Sequence, residues 1–236
     1  MSHGTLYLIP VTLGDDAIAK ALPPDVVATA QRLDTFVVEN EKTARRFLGA
    51  IKTAKPVREL TLLTLNEHTS DQELPALLAP LLAGQDIGLM SEAGCPGVAD
   101  PGAQLVALAH RHNIRVVPLV GPSSILLALM ASGLDGQRFT FLGYLPSDKT
   151  ERVKKIREIE QESRKRHETQ IFIETPYRND RLLEDLLATC QPHTRLCVAC
   201  NLTLETERII SNPVQDWKKS PLPDLHKQPT IFLLLA

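Results

Sequence analysis

The sequence predicts an α/β fold in two domains, a parallel sheet over residues 1–119 and a mixed sheet over residues 120–236. Three observations predict it. At 236 residues the chain is long enough for one large or two small domains. Up to residue 119, short apolar runs alternate with helical patterns, and right-handed crossovers turn that alternation into a largely parallel sheet. Beyond residue 120 the pattern resumes over a similar length, with more antiparallel character in its later strands.

The elements follow in order. Residues 5–10 (TLYLIP) are an apolar run stopped by proline and read as a buried strand, as do residues 35–39, 60–65, 86–90 and 114–119. Residues 41–51 are helical. A helix over residues 70–83 opens on Ser70-x-x-Glu73, a capping box, and stops at Gly84. Asp100-Pro101 reads as an N-cap followed by proline at the first helical position, launching a helix to about residue 112. In the second half, Gly121-Pro122-Ser123-Ser124 precedes an apolar helix over residues 125–131, and a strand covers residues 139–144. A long charged helix starts at Asp148, its N-cap, and ends near residue 166. The strand at residues 170–173 ends in Glu174-Thr175-Pro176, which caps a helix to about residue 188. Further strands are predicted at residues 195–199, 204–210 and 230–235.

Composition narrows the function. With 43% hydrophobic and 23% charged residues, disorder, collagen and coiled coil are excluded. No apolar run approaches the ~20 residues that span a bilayer, and the N-terminus has no secretory pattern, so a soluble cytoplasmic protein with no membrane partner is expected. The net charge of −2 argues against a general basic coat for nucleic acid. Residues 1–110 carry 8 basic against 13 acidic side chains, and residues 111–236 carry 18 against 15, which permits a local basic patch in the second half. Cys197-Val-Ala-Cys200 has CxxC spacing, but in a strand residues i and i+3 face opposite sides, so reduced core or near-surface thiols are expected rather than a metal site.

The familiar nucleotide motifs are missing: no G-x-x-x-x-G-K-[ST], no G-x-G-x-x-G after the first strand and no G-x-S-x-G. What stands out is the loop Ser91-Glu92-Ala93-Gly94-Cys95-Pro96-Gly97-Val98-Ala99-Asp100-Pro101-Gly102 after a buried strand. It is either a tight strand-to-helix connection or a surface of backbone polar groups at the sheet's carboxyl edge, where open α/β sheets bind ligands. Gly121-Pro122-Ser123-Ser124 and Glu174-Thr175-Pro176-Tyr177-Arg178 are similar junctions, and three of this make suggest a cleft. The long helix carries Lys149, Arg152, Lys154, Lys155, Arg157, Arg164, Lys165 and Arg166 among acidic residues. It is either a solvated face laced with i,i+4 pairs or a phosphate-backbone contact.

Together these segments resemble the tetrapyrrole methylase superfamily, S-adenosylmethionine (SAM)-dependent methyltransferases of two α/β domains with a cleft between them. The likeness is greatest to the group that methylates a cytidine ribose 2′-oxygen of small-subunit ribosomal RNA. Gly4-Thr5-Leu6-Tyr7-Leu8-Ile9-Pro10 resembles that group's first strand, and residues 91–102 its S-D-A-G-T-P-x-x-x-D-P-G loop. Gly121-Pro122-Ser123-Ser124 and Ala131-Ser132-Gly133-Leu134 resemble its G-P-S-A helix and S-G-L turn. Phe141-Leu142-Gly143-Tyr144-Leu145-Pro146 is similar to F-x-G-F-L-P, and Glu174-Thr175-Pro176-Tyr177-Arg178 to E-S-P-H-R. The chain departs from the pattern at residues 39–46, where the family has E-D-T-R, at Glu92 for Asp and Cys95 for Thr, and at residues 199–204, where the charged pair of A-R-E-L-T-K is lost. It also stops after the final strand, without the small C-terminal extension of the rRNA enzymes.

The resemblance implies SAM as methyl donor in the cleft, lined by Pro10, Glu92, Ala93, Gly94, Cys95, Ser123, Ser124, Thr175, Asn201, Leu202 and Thr230, with no metal. It implies a general base among Glu39, Glu41 and Asp100, and Arg45 or Arg178 holding an RNA phosphate. Glu41 with Arg45 is equally readable as an exposed i,i+4 pair, and Asp100 as an N-cap alone. It implies a homodimer and the ribosomal small subunit or its rRNA as partner. Two other readings stand beside this one, a methylase of a tetrapyrrole or other small molecule, and a protein that binds SAM or RNA without turnover.

Overall fold

The computed structural model of the chain describes residues 3–14 and 18–236. The chain divides into two compact units, Met1–Ser123 and Ser124–Ala236. Among the described residues, no helix is long and apolar enough to cross a membrane.

The N-terminal unit contains β1 (Thr5–Leu8), α1 (Ile18–Ala21), α2 (Pro24–Gln31), β2 (Thr35–Val38), α3 (Glu41–Ile51), β3 (Thr61–Thr64), α4 (Leu74–Leu82), β4 (Ile87–Met90), α5 (Ala103–Arg111) and β5 (Arg115–Pro118). Its strands form a parallel sheet in the order β3-β2-β4-β1-β5. Alternation along each strand sorts the core into two layers. Phe36 and Val38 of β2 pack with Ala44, Leu48 and Ile51 of α3. Val37, Ile87 and Leu89 pack with Leu77, Leu78 and Leu81 of α4 and Leu105 of α5 on the other side.

This order positions the site. From β1 the chain crosses to β2 in one direction, and from the adjacent β4 it crosses to β5 in the other. Right-handed crossovers in opposite directions put their helices on opposite faces, so the loops leaving β1 and β4 part at the carboxyl edge. Ligands of open α/β sheets bind in the crevice at such a switch point.

The C-terminal unit contains α6 (Ser124–Ser132), β6 (Phe139–Tyr144), α7 (Lys149–Arg166), β7 (Thr169–Ile173), α8 (Asn179–Thr189), β8 (Arg195–Cys200), β9 (Arg208–Pro213), α9 (Val214–Trp217) and β10 (Thr230–Leu235). Its sheet runs β6-β7-β10-β8-β9, with β6 and β7 parallel and the other pairs antiparallel. Ile156 and Ile159 of α7 and Leu182, Leu183 and Leu186 of α8 pack on Phe172 and Phe232 to form one core.

Several local expectations are corrected. Asp100 does not cap α5: the helix starts at Ala103 with Gly102 as its N-cap, after a turn in which Ala99 has φ 62°. Its carboxylate is thereby released from the helix terminus. Ser70 and Glu73 do meet, with Glu73 Oε2 accepting from the Ser70 N–H at 2.9 Å, but α4 begins only at Leu74, where Pro75 fits the first turn. Glu174 and Thr175 do not cap α8, whose N-cap is Arg178. The strand predicted at residues 204–210 starts at Arg208 instead, because Asn201 and Thr203 have φ values of 52° and 73° and residues 201–207 turn on themselves.

Two polar features of the C-terminal core bear on the sequence reading. Arg152 leaves the basic face of α7: its Nε and Nη2 donate to Asp185 Oδ2 at 2.9 and 2.6 Å, and Nη1 donates to the Ser147 carbonyl at 2.8 Å. Cys190, Cys197 and Cys200 are buried free thiols, with burial pushing Cys190 up to about 12 and Cys197 up to about 11. Cys95 is also free but only half-buried.

Removing one partner of a buried ion pair strands the other charge. Asp185→Ala is expected to cost about 3–5 kcal/mol by denaturant unfolding, and Arg152→Met combined with Asp185→Leu is expected to recover most of it.

Candidate active site

The carboxyl edge of the N-terminal sheet is organised by the loop after β4. Val11, just past β1, forms an antiparallel bridge with Gly94, and its N–H donates to the Gly94 carbonyl at 2.9 Å. Gly94 has φ 71°, and a Cβ there would stand 3.3 Å from Leu13 Cδ2 and 3.4 Å from the Pro122 carbonyl oxygen. The neighbouring Cys95 Sγ donates to the Pro122 carbonyl at 3.3 Å. Pro122 is held in turn because Gly121 lies against Pro10, where a Cβ would come within 2.2 Å of Pro10 Cγ. Pro10, Gly94, Cys95 and the segment leading to Ser123 are thus one packed assembly.

Around it lies an acidic group. Glu39 follows β2, Glu92 follows β4, and the adjacent placing of those strands brings the two together. The Glu92 N–H donates to Glu39 Oε2 at 3.4 Å. Asp100 lies close enough to raise the Glu39 pKa. Burial is the largest cause of that rise, with the Asp100 charge next and the hydrogen bond from Glu92 partly opposing. Asp100 is raised as well, first by burial and then by the Glu92 charge, with Ser91 acting in the opposite direction. Ser91 Oγ is buried beside Asp100 and acts on its carboxylate as a hydrogen-bonding neighbour. Both carboxyls are raised, first by burial, and a raised carboxyl takes up a proton more readily.

Next to this group is a cavity of about 470 Å³, wholly within the N-terminal unit. It opens between the strand-end segment 90–93, the residues after β1, and the first turns of α3. Asn40 caps α3, accepting from the Lys42 N–H at 2.9 Å, and this sets Thr43 facing the loop: its Oγ1 lies 3.1 Å from Glu92 Oε1.

The remaining predicted residues fall as follows. Glu41 and Arg45 form an exposed i,i+4 pair at 3.0 Å, and Arg45 Nη1 also donates to the Val57 carbonyl. In the C-terminal unit, Arg178 Nη2 donates at 2.7 Å to Glu174 Oε1, which also accepts from the Thr175 N–H at 2.6 Å. Gln228 gathers the other loops there: its Oε1 accepts from Asn201 Nδ2, and its carbonyl accepts from Thr230 Oγ1 and Asn179 Nδ2. Leu202 is buried beside this junction in sequence. Ser124 opens α6. Sequence reasoning did not find Ser91, Thr43 or Gln228. Asn40-x-x-Thr43 at a helix start was a usable signal for Thr43; nothing in the pattern marked Gln228.

Comparison with known proteins fixes the family. Residues 5–217 match the family model of the tetrapyrrole (corrin/porphyrin) methylases. The chain belongs to the tetrapyrrole methylase family. It is a methyltransferase by that membership. It is 33% identical over 213 residues to "Ribosomal RNA small subunit methyltransferase I" of Vibrio cholerae, covering 89% of this chain and 69% of that protein. The protein of the same name from Synechocystis is 34% identical over 212 residues, with 90% and 72% covered. Among solved structures, the methyltransferase CobJ aligns with a TM-score of 0.64 at 19% identity, covering 98% of this chain and 94% of that one. The cobalt precorrin-4 methyltransferase CbiF gives 0.61 at 13% identity, with 98% and 94% covered. These structures share the tetrapyrrole methylase fold.

Because folding raises the Glu39 pKa, its contribution to stability is fully present below the usual carboxylate range and is lost as pH rises through the raised value. Glu39→Gln is therefore expected to raise the melting temperature at pH 7–8. That gain should shrink towards zero as the scan is repeated down to about pH 4.

Proposed function

We propose that the protein transfers a methyl group from SAM to a ribose 2′-oxygen of small-subunit ribosomal RNA. The likeness at 33–34% identity to proteins named for that ribosomal RNA carries the reading of the substrate. The geometry supports it by offering a base where a hydroxyl acceptor needs one. The carboxyl edge also suits a cationic donor: acidic side chains predominate in the N-terminal half, and Glu39, Glu92 and Asp100 gather at the switch point. In this reading the backbone of Ala93–Cys95 with Pro10 and Ser123 serves SAM in the N-terminal unit. SAM, when bound, supplies an electrophilic methyl carbon on a sulfonium sulfur.

The chain's own task is to bind, orient and deprotonate the acceptor. Asp100 and Glu39 share the role of base, because like charges in a partly desolvated site favour holding one proton between them. The proton of the 2′-hydroxyl passes to whichever carboxylate is ionised and then to solvent. Exposed Lys154, Arg157, Arg164, Lys165 and Arg166 along α7 meet RNA phosphates. The protein acts in the cytoplasm as a homodimer, for which Leu126 and Met130, 51% and 79% exposed on α6, offer apolar surface.

The deciding experiment is transfer of labelled methyl from SAM to isolated small ribosomal subunits, run beside a total small-molecule extract. Label in the subunit RNA is expected; label only in the extract overturns the substrate, and SAM binding without label in either overturns the catalytic reading. On the competent substrate, Asp100→Asn is expected to lower kcat about 10²–10⁴-fold while calorimetric SAM affinity stays unchanged. Its residual kcat/KM should lose its acid limb at a lower pH than the parent, because Glu39 no longer feels the Asp100 charge.

A further inference from the structure

We propose that the carboxyl end of the β6–β7 pair in the C-terminal unit is a stacking platform for unpaired RNA bases, built on Tyr144 and Tyr177 with Lys227 over the second ring. The inference rests on the ribosomal RNA reading above and names what grips the strand beside its phosphates.

The chain has only ten large aromatic side chains, and seven of them are buried or half-buried. Tyr144 and Tyr177 are instead 61% and 67% exposed. Strand order explains why they share an edge. The outermost strand β6 runs parallel to β7, and Tyr144 stands opposite Ile173 where the ladder ends. Tyr177 follows Ile173 by four residues, a step of at most ~14 Å, so both tyrosines lie at the carboxyl end of two adjacent strands. The ladder shifts register between Phe141 and Tyr144, and Gly143 between them has φ 69°. Such bulges re-aim side chains at strand ends.

Tyr177 is also held in place. The turn at residues 225–228 is clasped to the start of α8: the Lys227 N–H donates to the Pro176 carbonyl at 3.0 Å, Asn179 Nδ2 to the Gln228 carbonyl at 2.7 Å, and the Leu225 N–H to Asp180 Oδ1 at 2.9 Å. Lys227 adopts φ 60°, uncommon for a residue with a side chain, and its Nζ lies 5.8 Å from the Tyr177 ring centroid. His226 meets the same ring edge-on, with centroids 5.9 Å apart. A ring ordered in advance costs little to engage.

An exposed ring with a cation beside it matches what an unpaired nucleotide offers, a π-face and a phosphate. The half of the chain that carries both tyrosines is the basic half, and α7, with exposed Lys149 at its start, opens five residues past Tyr144. Every base has a π-face, so the platform holds single-stranded RNA without choosing its sequence.

The test is fluorescence anisotropy of the full chain with a labelled, non-self-complementary RNA of about ten nucleotides, alone and annealed to its complement. Tyr144→Ala and Tyr177→Ala should each weaken the single strand about 5–100-fold at unchanged melting temperature, while Tyr144→Phe and Tyr177→Phe keep the parent affinity. Lys227→Gln should lower the slope of log affinity against log salt by about 0.7. Affinity for the duplex should be the same in parent and alanine variants, since its bases are already stacked. Parent-like single-strand binding in both alanine variants overturns the platform, and so does an equal loss on the duplex or a parent chain that does not bind the single strand. A changed oligomeric state in either alanine variant, read by sedimentation, assigns the face to a second copy of the chain and also overturns it. Tyrosine-dependent binding in a protein that transfers no methyl to subunits sustains the platform and sinks the activity. Methyl transfer to subunits at the parent KM in both alanine variants does the reverse.

Discussion

The N-terminal edge depends on one close approach. Gly94 bridges to Val11 after β1, and a Cβ there would stand 3.3 Å from Leu13 Cδ2 and 3.4 Å from the Pro122 carbonyl. Its left-handed φ turns the loop back onto Val11, and the Gly121–Pro10 contact brings the following segment against it. An alanine at position 94 needs only a small shift of the Leu13 side chain for space, so the left-handed φ is what favours glycine there. Glu92 lies two residues before this junction and Asp100 six residues after it.

The second constraint is electrostatic. Carboxyls that belong to different strand ends are placed where each raises the cost of ionising the other, and burial adds to it. Elsewhere the chain pairs its charges: Glu41 with Arg45, Glu174 with Arg178, Arg152 with Asp185. The contrast matters for function. Paired carboxylates at the surface or in the C-terminal core hold structure, whereas in the Glu39–Asp100 group burial and neighbouring negative charge both raise the cost of ionisation.

Much of the fold was legible because local chemistry and tertiary packing agree. Helix α3 begins where Asn40 caps it, and α7 where Asp148 accepts from the Glu151 N–H, so propensity, cap and apolar periodicity coincide. The errors fall where a backbone turn overrides the pattern. Residues 204–207 alternate like a strand, but left-handed Asn201 and Thr203 hold them in turns. Asp100-Pro101 carries a helix-start signature, but the loop's own turns delay the helix to Ala103. The strand-end loops were visible as motifs and the resemblance pointed to Glu39, Glu92 and Asp100 singly, whereas their gathering was not legible. Glu39 and Glu92 meet only because β2 and β4 are neighbours, and strand order is a property of the sheet rather than of any segment.

The cysteines carry a practical consequence. Three of them lie inside the C-terminal unit, with Cys190 and Cys197 rendered inert by burial, while Cys95 is half-buried beside the loop that organises the N-terminal edge. Burial raises the Cys95 thiol too, but it is the most exposed of the four, so a thiol-directed fluorophore or spin label added to the native chain reaches it ahead of the three buried thiols. Its emission or line shape reads rearrangement of the Gly94 junction without any engineered mutation.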